Sequence, residues 1–458
     1  MFKSFYSIHF FSKRNSLYAL FIFCFLLPVL KINAQSTEPL SLNLTKARQL
    51  SNAANTDLLL KDIDALIADE TVKQTKKGAI PDVFLDFNMQ RNLIIPSTPV
   101  PAKAFNPTAP EGELLLLKFS TNWSGNAGVN FNYDLFNPEQ KSKVKQAQIK
   151  AKIAATDKKI TETDATLEIS KIYVEALIAQ EQVNLSKADL ETKSTIYEML
   201  SEQFAAGRLT LLELNTGKAA LNTADSKNKE AQNIADKTKA ELVVQLGYDP
   251  LFPPSINFED TIEILYSNYN SPLQKNKLSY DLLKIEDQKL LLEEEKRAAK
   301  LKYYPKLNLG AYYGNTYFDN NFDPFKGSNW HGNSFVKVGL QIPLTNWFQY
   351  ENDKAIIDYQ LKANDITYKN QKNKSNLNYV KTLKDKEFYK DKYENLKANF
   401  LLEKENFALI QQQYKNGRLL IEEISKADYA VQLAKNEYLN AAYNYLLAEI
   451  QMEYEQAK

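Results

Sequence analysis

Few residues in this chain have the types and spacing that chemistry requires. The two histidines, His9 and His331, are far apart in sequence, and the single cysteine, Cys24, lies in an apolar run near the N-terminus. A catalytic nucleophile needs a base within reach, and a structural metal site needs several ligands. Neither requirement is met, and His331 reads as a lone loop residue. Glu293-Glu294-Glu295, followed by Lys296 and Arg297, reads as a solvated helix face. Glu422 and Glu423 stand apart because they open a helical stretch directly after a turn, Gly417-Arg418-Leu419. On a single helix such acids are ordinary, since the helix dipole favours negative charge in the first turn. Repeated around a symmetry axis, the same positions would form a carboxylate ring that selects cations and raises their local concentration.

The turn before these acids occurs twice. Gln203-Phe204-Ala205-Ala206-Gly207-Arg208-Leu209 returns as Gln413-Tyr414-Lys415-Asn416-Gly417-Arg418-Leu419, an offset of 210 residues. Extended to Glu213 and Glu423, the match holds five identities in eleven positions. A duplicated turn flanked by long helical patterns points to an internally repeated architecture.

Charge is nearly balanced, with 57 Lys and Arg against 56 Asp and Glu, which argues against a nucleic-acid partner. Residues 1–34 read as a signal peptide: Lys13 and Arg14 precede the apolar run Leu17 to Leu30, and Ile32-Asn33-Ala34 suits cleavage after Ala34. Cleavage would discard Cys24, and with four basic residues lost the mature chain carries 53 basic and 56 acidic groups, net −3. Cys24 follows Phe21-Ile22-Phe23 rather than a small-residue lipobox, so no lipid anchor is expected there. Asn43-Leu44-Thr45 and Asn122-Trp123-Ser124 match a glycosylation pattern by chance.

The mature chain alternates between two kinds of pattern. Residues 41–78 have helical spacing, and Leu85, Phe87 and Met89 then alternate with Asp86, Asn88 and Gln90 in a strand. A proline-rich loop fills 92–122. Ala127, Val129, Phe131, Tyr133 and Leu135 alternate with Gly128, Asn130, Asn132 and Asp134, a face of amides and glycine suited to a water-filled lumen. From Glu139 to Ala206, 68 residues pass without proline or glycine, enough for a helix about 100 Å long. Residues 209–247 return as helix despite Gly217. After Pro250, Pro253 and Pro254 the series restarts: a helix over 270–302, a strand with Leu307, Leu309, Ala311 and Tyr313 on one face and Tyr312 as the exception on the other, a loop over 315–333, a strand over 336–344, and a long helix over 350–416. Domain boundaries follow: first repeat 35–249, linker 250–269, second repeat 270–458. Apolar residues seven apart (Val183, Leu190, Tyr197 and Phe204; Tyr393, Phe400, Phe407 and Tyr414; Ile424, Val431, Tyr438, Tyr445 and Met452) predict coiled-coil seams. The first repeat's returning helix has Leu214, Leu221, Ala235 and Leu242, with Asn228 breaking its seam. Trp123, Trp330 and Trp347, with Tyr312, Tyr313 and Tyr317, suit either interfacial girdles or loop packing.

Four amphipathic strands cannot close a membrane barrel, whose minimum is about eight. Open edges are not tolerated in lipid. Several chains sharing one barrel solve the problem, and three would supply twelve strands. The helices are too polar for a bilayer and must project into water.

The duplicated helix–strand–strand–helix order, the junctions Tyr133-Asp134-Leu135-Phe136-Asn137-Pro138 and Ile342-Pro343-Leu344-Thr345-Asn346, and the two Gly-Arg-Leu turns make the chain resemble the TolC-like outer-membrane efflux proteins over essentially the whole mature sequence. The resemblance implies an α+β membrane protein in which four strands per chain join a shared 12-stranded barrel of a homotrimer, continued by an α-helical periplasmic tunnel. It implies an exit duct in the cell outer membrane, passive and not an enzyme, without cofactor, for efflux or type I secretion. Its partners would be outer-membrane lipid, a periplasmic adaptor of the membrane fusion type and an inner-membrane pump of RND, ABC or MFS type. Glu423 matches an acidic ring at the periplasmic entrance. A second acid expected one turn later falls at Lys426, and Glu422 could stand in for it. Tyr414 matches a residue of the links that hold the entrance shut, Arg418 matches their basic residue with a displacement of one, and Gly207, Arg208, Leu209, Gly417, Arg418 and Leu419 form the adaptor-docking turns. The alternative is a periplasmic coiled-coil adaptor or scaffold without a pore, which the apolar strand faces weigh against.

Overall fold

The computed structural model describes residues 39–269, 279–344, 349–416, 419 and 421–458. The expected signal peptide with His9 and Cys24, Trp347, the Thr345-Asn346 end of the second junction, and Gly417 and Arg418 lie outside the described residues.

Two helices occupy the first helical stretch, α1 (Leu44–Ala54) and α2 (Thr56–Lys77). Asn55 separates them: its extended backbone ends α1, and its side chain caps α2 by accepting from Leu58 N at 2.9 Å, the usual role of an N-terminal Asn. A short strand, β1 (Leu40–Leu42), precedes them and pairs in parallel with β6 (Ile256–Phe258). The 250–269 stretch, expected as a linker, thus carries β6 and α5 (Ile262–Asn268), both tied back to the body of the protein.

The long helices form as their uninterrupted sequences require. Helix α3 (Pro138–Ala205) starts behind the cap Asn137, with proline at its first position, and α7 spans Tyr350–Lys415. Helix α4 (Leu211–Gln245) folds back along α3, and α8 (Ile421–Ala457) along α7. Helices α1 and α2 continue the line of α4 against α3, while α6 (Tyr280–Leu301) packs between α3 and α7. None of the described helices is long and apolar enough to cross a membrane.

The seven-residue seams differ between repeats. In the second, Tyr393, Phe400 and Tyr414 are buried, as are Ile424, Tyr438, Tyr445 and Met452. In the first, Val183, Leu190 and Tyr197 are only half-buried and Phe204 is exposed; the buried line is Ser186, Lys193 and Leu200, also seven apart. Asn228 does not break the packing there, because Ser186 Oγ donates to its Oδ1 at 3.2 Å inside the seam. One core runs through the middle of the helices, joining Leu42, Tyr173, Leu242, Leu265, Tyr445 and Ile450.

Four long strands form one antiparallel sheet in the order β2 (Asp82–Arg91), β5 (Trp123–Phe136), β7 (Lys306–Asp319), β8 (Trp330–Gln341). Strands β7 and β8 run further into the expected loop than alternation suggested, and the 92–122 loop contains a small hairpin, β3 (Thr98–Pro101) with β4 (Leu114–Leu117). Register sorts the side chains. Val83, Leu85 and Phe87 pair with Phe131, Val129 and Ala127; Val129, Phe131 and Tyr133 pair with Tyr313, Ala311 and Leu309; Leu309 and Ala311 pair with Val338 and Val336. All of these lie on one face, and Asp86, Asn130, Asn132, Asn308, Thr316 and Lys337 lie on the other. Within the chain, β2 and β8 are open edges.

Candidate functional site

The site suggested by sequence lies at the far tip of the helix pairs, and the first repeat shows how it is built. Gly207 has φ +70, Arg208 N donates to Gln203 O at 2.9 Å and Gly207 N to Phe204 O at 2.9 Å. This is the paired closure of a helix end that needs a left-handed residue, hence glycine. Thr210 then caps α4: Glu213 N donates to Thr210 Oγ1 at 3.3 Å, and the Glu213 carboxylate accepts from Thr210 N at 2.8 Å. That reciprocal cap fixes the first Glu of the repeat, and the hydrogen bonds from Thr210 hold its carboxyl below the usual range. Gly207 and Arg208 are exposed at the tip, while Leu209 is half-buried against Ile196, Leu200 and Tyr414.

The second repeat has diverged at the same place. In the sequence Leu420, outside the described residues, stands where the first repeat has Thr210, so the capping hydroxyl of the first repeat has no counterpart at that position. Glu423, the counterpart of Glu213, faces its own helix instead: Lys426 Nζ lies 3.0 Å from Glu423 Oε1. That contact, and then the Glu423 charge, raise the Lys426 pKa, so the lysine remains a cation beside the acid. Glu422 is exposed, and Leu419 is half-buried.

Tyr414 is buried and packs with Ile196, Leu200 and Ile424 between α3, α7 and α8. Burial, and then the charge of Glu213, push its hydroxyl pKa up. Glu213 therefore belongs with Tyr414 at the site. Sequence reading missed it, although the Thr210-x-x-Glu213 cap pattern was visible.

A second group escaped the sequence reading. Lys193 on α3 is buried, in contact with Asp428 of α8, and lies 3.7 Å from Asp189. Its ammonium also stands 5.5 Å over the Phe407 ring. Lys435 is buried nearby; desolvation lowers its pKa against the favourable charges of Asp189 and Asp428, while desolvation raises that of Asp189. Of these residues Asp189, Lys193 and Asp428 line a cavity between α3, α4 and α8 with Lys227 and Thr223. No alternation or motif signals such a cluster, since each member reads as an ordinary surface charge of a helix.

At the sheet end, the aromatic residues divide. Trp330 donates to Pro324 O at 2.8 Å and Tyr317 is fully buried beneath the β7–β8 loop, while Trp123 packs on Phe322 with centroids 4.6 Å apart. These are loop packing. Tyr313 is exposed on the apolar face, as a girdle residue would be. His331 is in β8, paired with Thr316, and not in a loop. Among the described residues no group of His, Cys, Asp and Glu could hold a metal ion.

The sequence model of the family described as "Outer membrane efflux protein" matches residues 47–248, the first repeat. Among curated proteins none matches. Solved structures share the fold over most of its length. The open-state MtrE outer membrane channel of Neisseria gonorrhoeae superimposes with a TM-score of 0.68 at 15% identity, over 90% of this chain and 88% of that one. The CmeC outer membrane channel of Campylobacter jejuni gives 0.67 at 16%, over 90% and 85%. A membrane protein of Pseudomonas aeruginosa gives 0.67 at 14%, over 90% of both chains. At such identities the likeness is one of fold.

Proposed function

We propose, from the match of the outer membrane efflux protein model to residues 47–248 and the shared fold, that this chain belongs to that family and is the exit duct of an efflux or type I secretion system. It conducts cargo passively from an inner-membrane pump and its periplasmic adaptor across the periplasm and the outer membrane. The observation that carries the reading is the four-stranded sheet. Most of its apolar side chains share one face, its amides share the other, and both edge strands are open. In lipid an open edge leaves backbone groups unpaired, at a cost of several kcal/mol each. Three copies would satisfy every edge in a twelve-stranded barrel with a wet interior, and the helices would continue that lumen through water. An adaptor or scaffold without a pore has no use for a sheet with one apolar and one amide face.

In this reading the tips at Gly207-Arg208-Leu209 and Gly417-Arg418-Leu419 dock the adaptor. Tyr414 and Arg418 belong to the links that close the entrance, and Glu423, with Glu422 beside it, forms the acidic ring. Purified protein should be a trimer from the outer-membrane fraction and give cation-preferring conductance in planar bilayers, weakened by Glu423→Ala. A soluble protein, or one giving no channels, would overturn the reading.

A further inference from the structure

The amide face of the sheet is not uniformly polar. Pairing lines up Asp82, Asn132, Gly310 and Lys337 in one row across the four strands, then Phe84, Asn130, Tyr312 and Phe335, then Asp86, Gly128, Gly314 and Asn333, then Asn88, Asn126, Thr316 and His331. Of these four rows, only the second carries rings on three of its four strands.

Its rings are arranged for two different tasks. Tyr312 is buried, lying over the two glycines of the next row: a Cβ on Gly128 would be 2.8 Å from its Cζ, and one on Gly314 would be 2.7 Å from its hydroxyl. Both positions need glycine: the backbone of the neighbouring strand crowds a Cβ there at 2.4–2.8 Å, and the Tyr312 ring closes the same space from above. Tyr312 in turn stacks on Phe335, with centroids 5.7 Å apart and planes 24° apart. Tyr312 is thus a floor for the row. Phe84 and Phe335 are 43% and 46% exposed, so their rings face the open side. The Lys337 ammonium stands 6.0 Å over the Phe335 ring, a cation already placed on this row. Among the described residues no cation stands over Phe84; on its own strand and the same face it is flanked by Asp82 and Asp86.

We propose that this row is a stacking site in the barrel lumen for planar aromatic cations in transit, an assignment that rests on the duct reading above. A flat cation would lie on the Phe84 ring with its charge toward Asp82 or Asp86, and would leave by displacement along the amide-lined wall. A ring face attracts both flat apolar surface and positive charge, while amides and glycine offer neither stacking partner. Three copies in one barrel would place the row on every third of the wall, so a passing solute meets it wherever it enters.

The test is single-channel block of the full-length protein in planar bilayers by proflavine, a planar aromatic cation, with tetraethylammonium as a non-planar cation. Proflavine should interrupt the wild-type current. Phe84→Ser should shorten its dwell time about tenfold, the loss of one stacking partner, with Phe84→Tyr retaining it and tetraethylammonium block unchanged. Equal proflavine dwell times in wild type and Phe84→Ser, in channels that conduct normally, would overturn the stacking site and leave the duct intact. Equal shortening for both cations would assign the effect to Asp82 and Asp86 and also overturn it. Absence of any channel would overturn the duct and this site with it.

Discussion

Lys426 Nζ lies 3.0 Å from Glu423 Oε1, so the acid that best fits an entrance ring carries its own counter-ion one turn along the same helix. The pair is exposed on both sides and adds little to stability. Its effect is on the field: a carboxylate with an ammonium at contact distance presents a dipole to an approaching ion, where a bare one presents a full charge.

The first prediction follows from that dipole. Lys426→Gln should raise the cation preference of the conductance, and Glu423→Ala should lower it. The double variant should fall between them, with Glu422 supplying what remains. Reversal potentials in a salt gradient measure this directly. If Lys426→Gln leaves selectivity unchanged, the pair does not face the conducting path.

The buried contact of Lys193 with Asp428 should behave differently, because it joins α3 to α8 out of water. Removing one member of a buried pair leaves the other unpaired, at several kcal/mol in a fully enclosed site. Here Asp428 is 23% exposed and Asp189 remains 3.7 Å from the lysine, so Asp428→Leu should cost about 2 kcal/mol. Hydrogen exchange should quicken in α8 around Ser425–Gln432. Lys193→Met combined with Asp428→Leu should restore part of the protection, since the buried ammonium is removed with its partner, while Asp189 loses Lys193.

How far the sequence could be read depended on whether the determinant was periodic. The four sheet strands, the two long helices and the repeat were legible because alternation and heptads extend over many residues. Helix α1 and α2 were merged because Asn55 caps without a glycine or proline to announce it. Strands β1 and β6 were invisible because three residues carry no period, and their pairing joins segments far apart in sequence. The second-repeat seam was read correctly. The first was displaced because its buried line holds polar residues, Ser186 bonded to Asn228 and Lys193 paired with Asp428, which hydrophobic spacing cannot find. Tyr312 looked like an error of alternation; register places it on the amide face, where it covers two glycines.

Tyr173 tests the link between β1, β6 and the helices. Its hydroxyl donates to Asp260 Oδ2 at 2.8 Å and stands 3.3 Å from Leu42 O, while the same Asp260 oxygen accepts from Leu44 N at 2.8 Å. Tyr173→Phe should lower stability by about 1 kcal/mol, the worth of a hydrogen bond lost with little change of shape. Asp260→Ala should cost more, because it also strips the acceptor from the start of α1 and leaves the Tyr173 hydroxyl buried without its carboxylate. Thermal unfolding in detergent would rank the two, and the opposite order would assign the α1 contact no role.

Glu294 sets an acid-side dependence. It is 5% exposed on α6, accepts from Ser142 Oγ at 2.8 Å and lies 3.0 Å from Lys145 Nζ and 3.9 Å from Arg297. Burial alone would raise its pKa. The hydrogen bonds from Lys145 and Ser142, with the charges of Lys145 and Arg297, outweigh burial and hold the carboxyl below its ordinary value. A carboxyl depressed in the folded state stabilises fully above its unfolded pKa, about 4.3, and loses that contribution as pH falls through the lower folded value. Wild type should therefore lose melting temperature faster than Glu294→Gln between about pH 5 and pH 3, having started above it. The two melting curves should approach each other at the acid end, where both side chains are neutral. Parallel curves across that range would mean that Glu294 does not change its proton affinity on folding, and that its contacts with Ser142 and Lys145 contribute only as they would for a neutral amide.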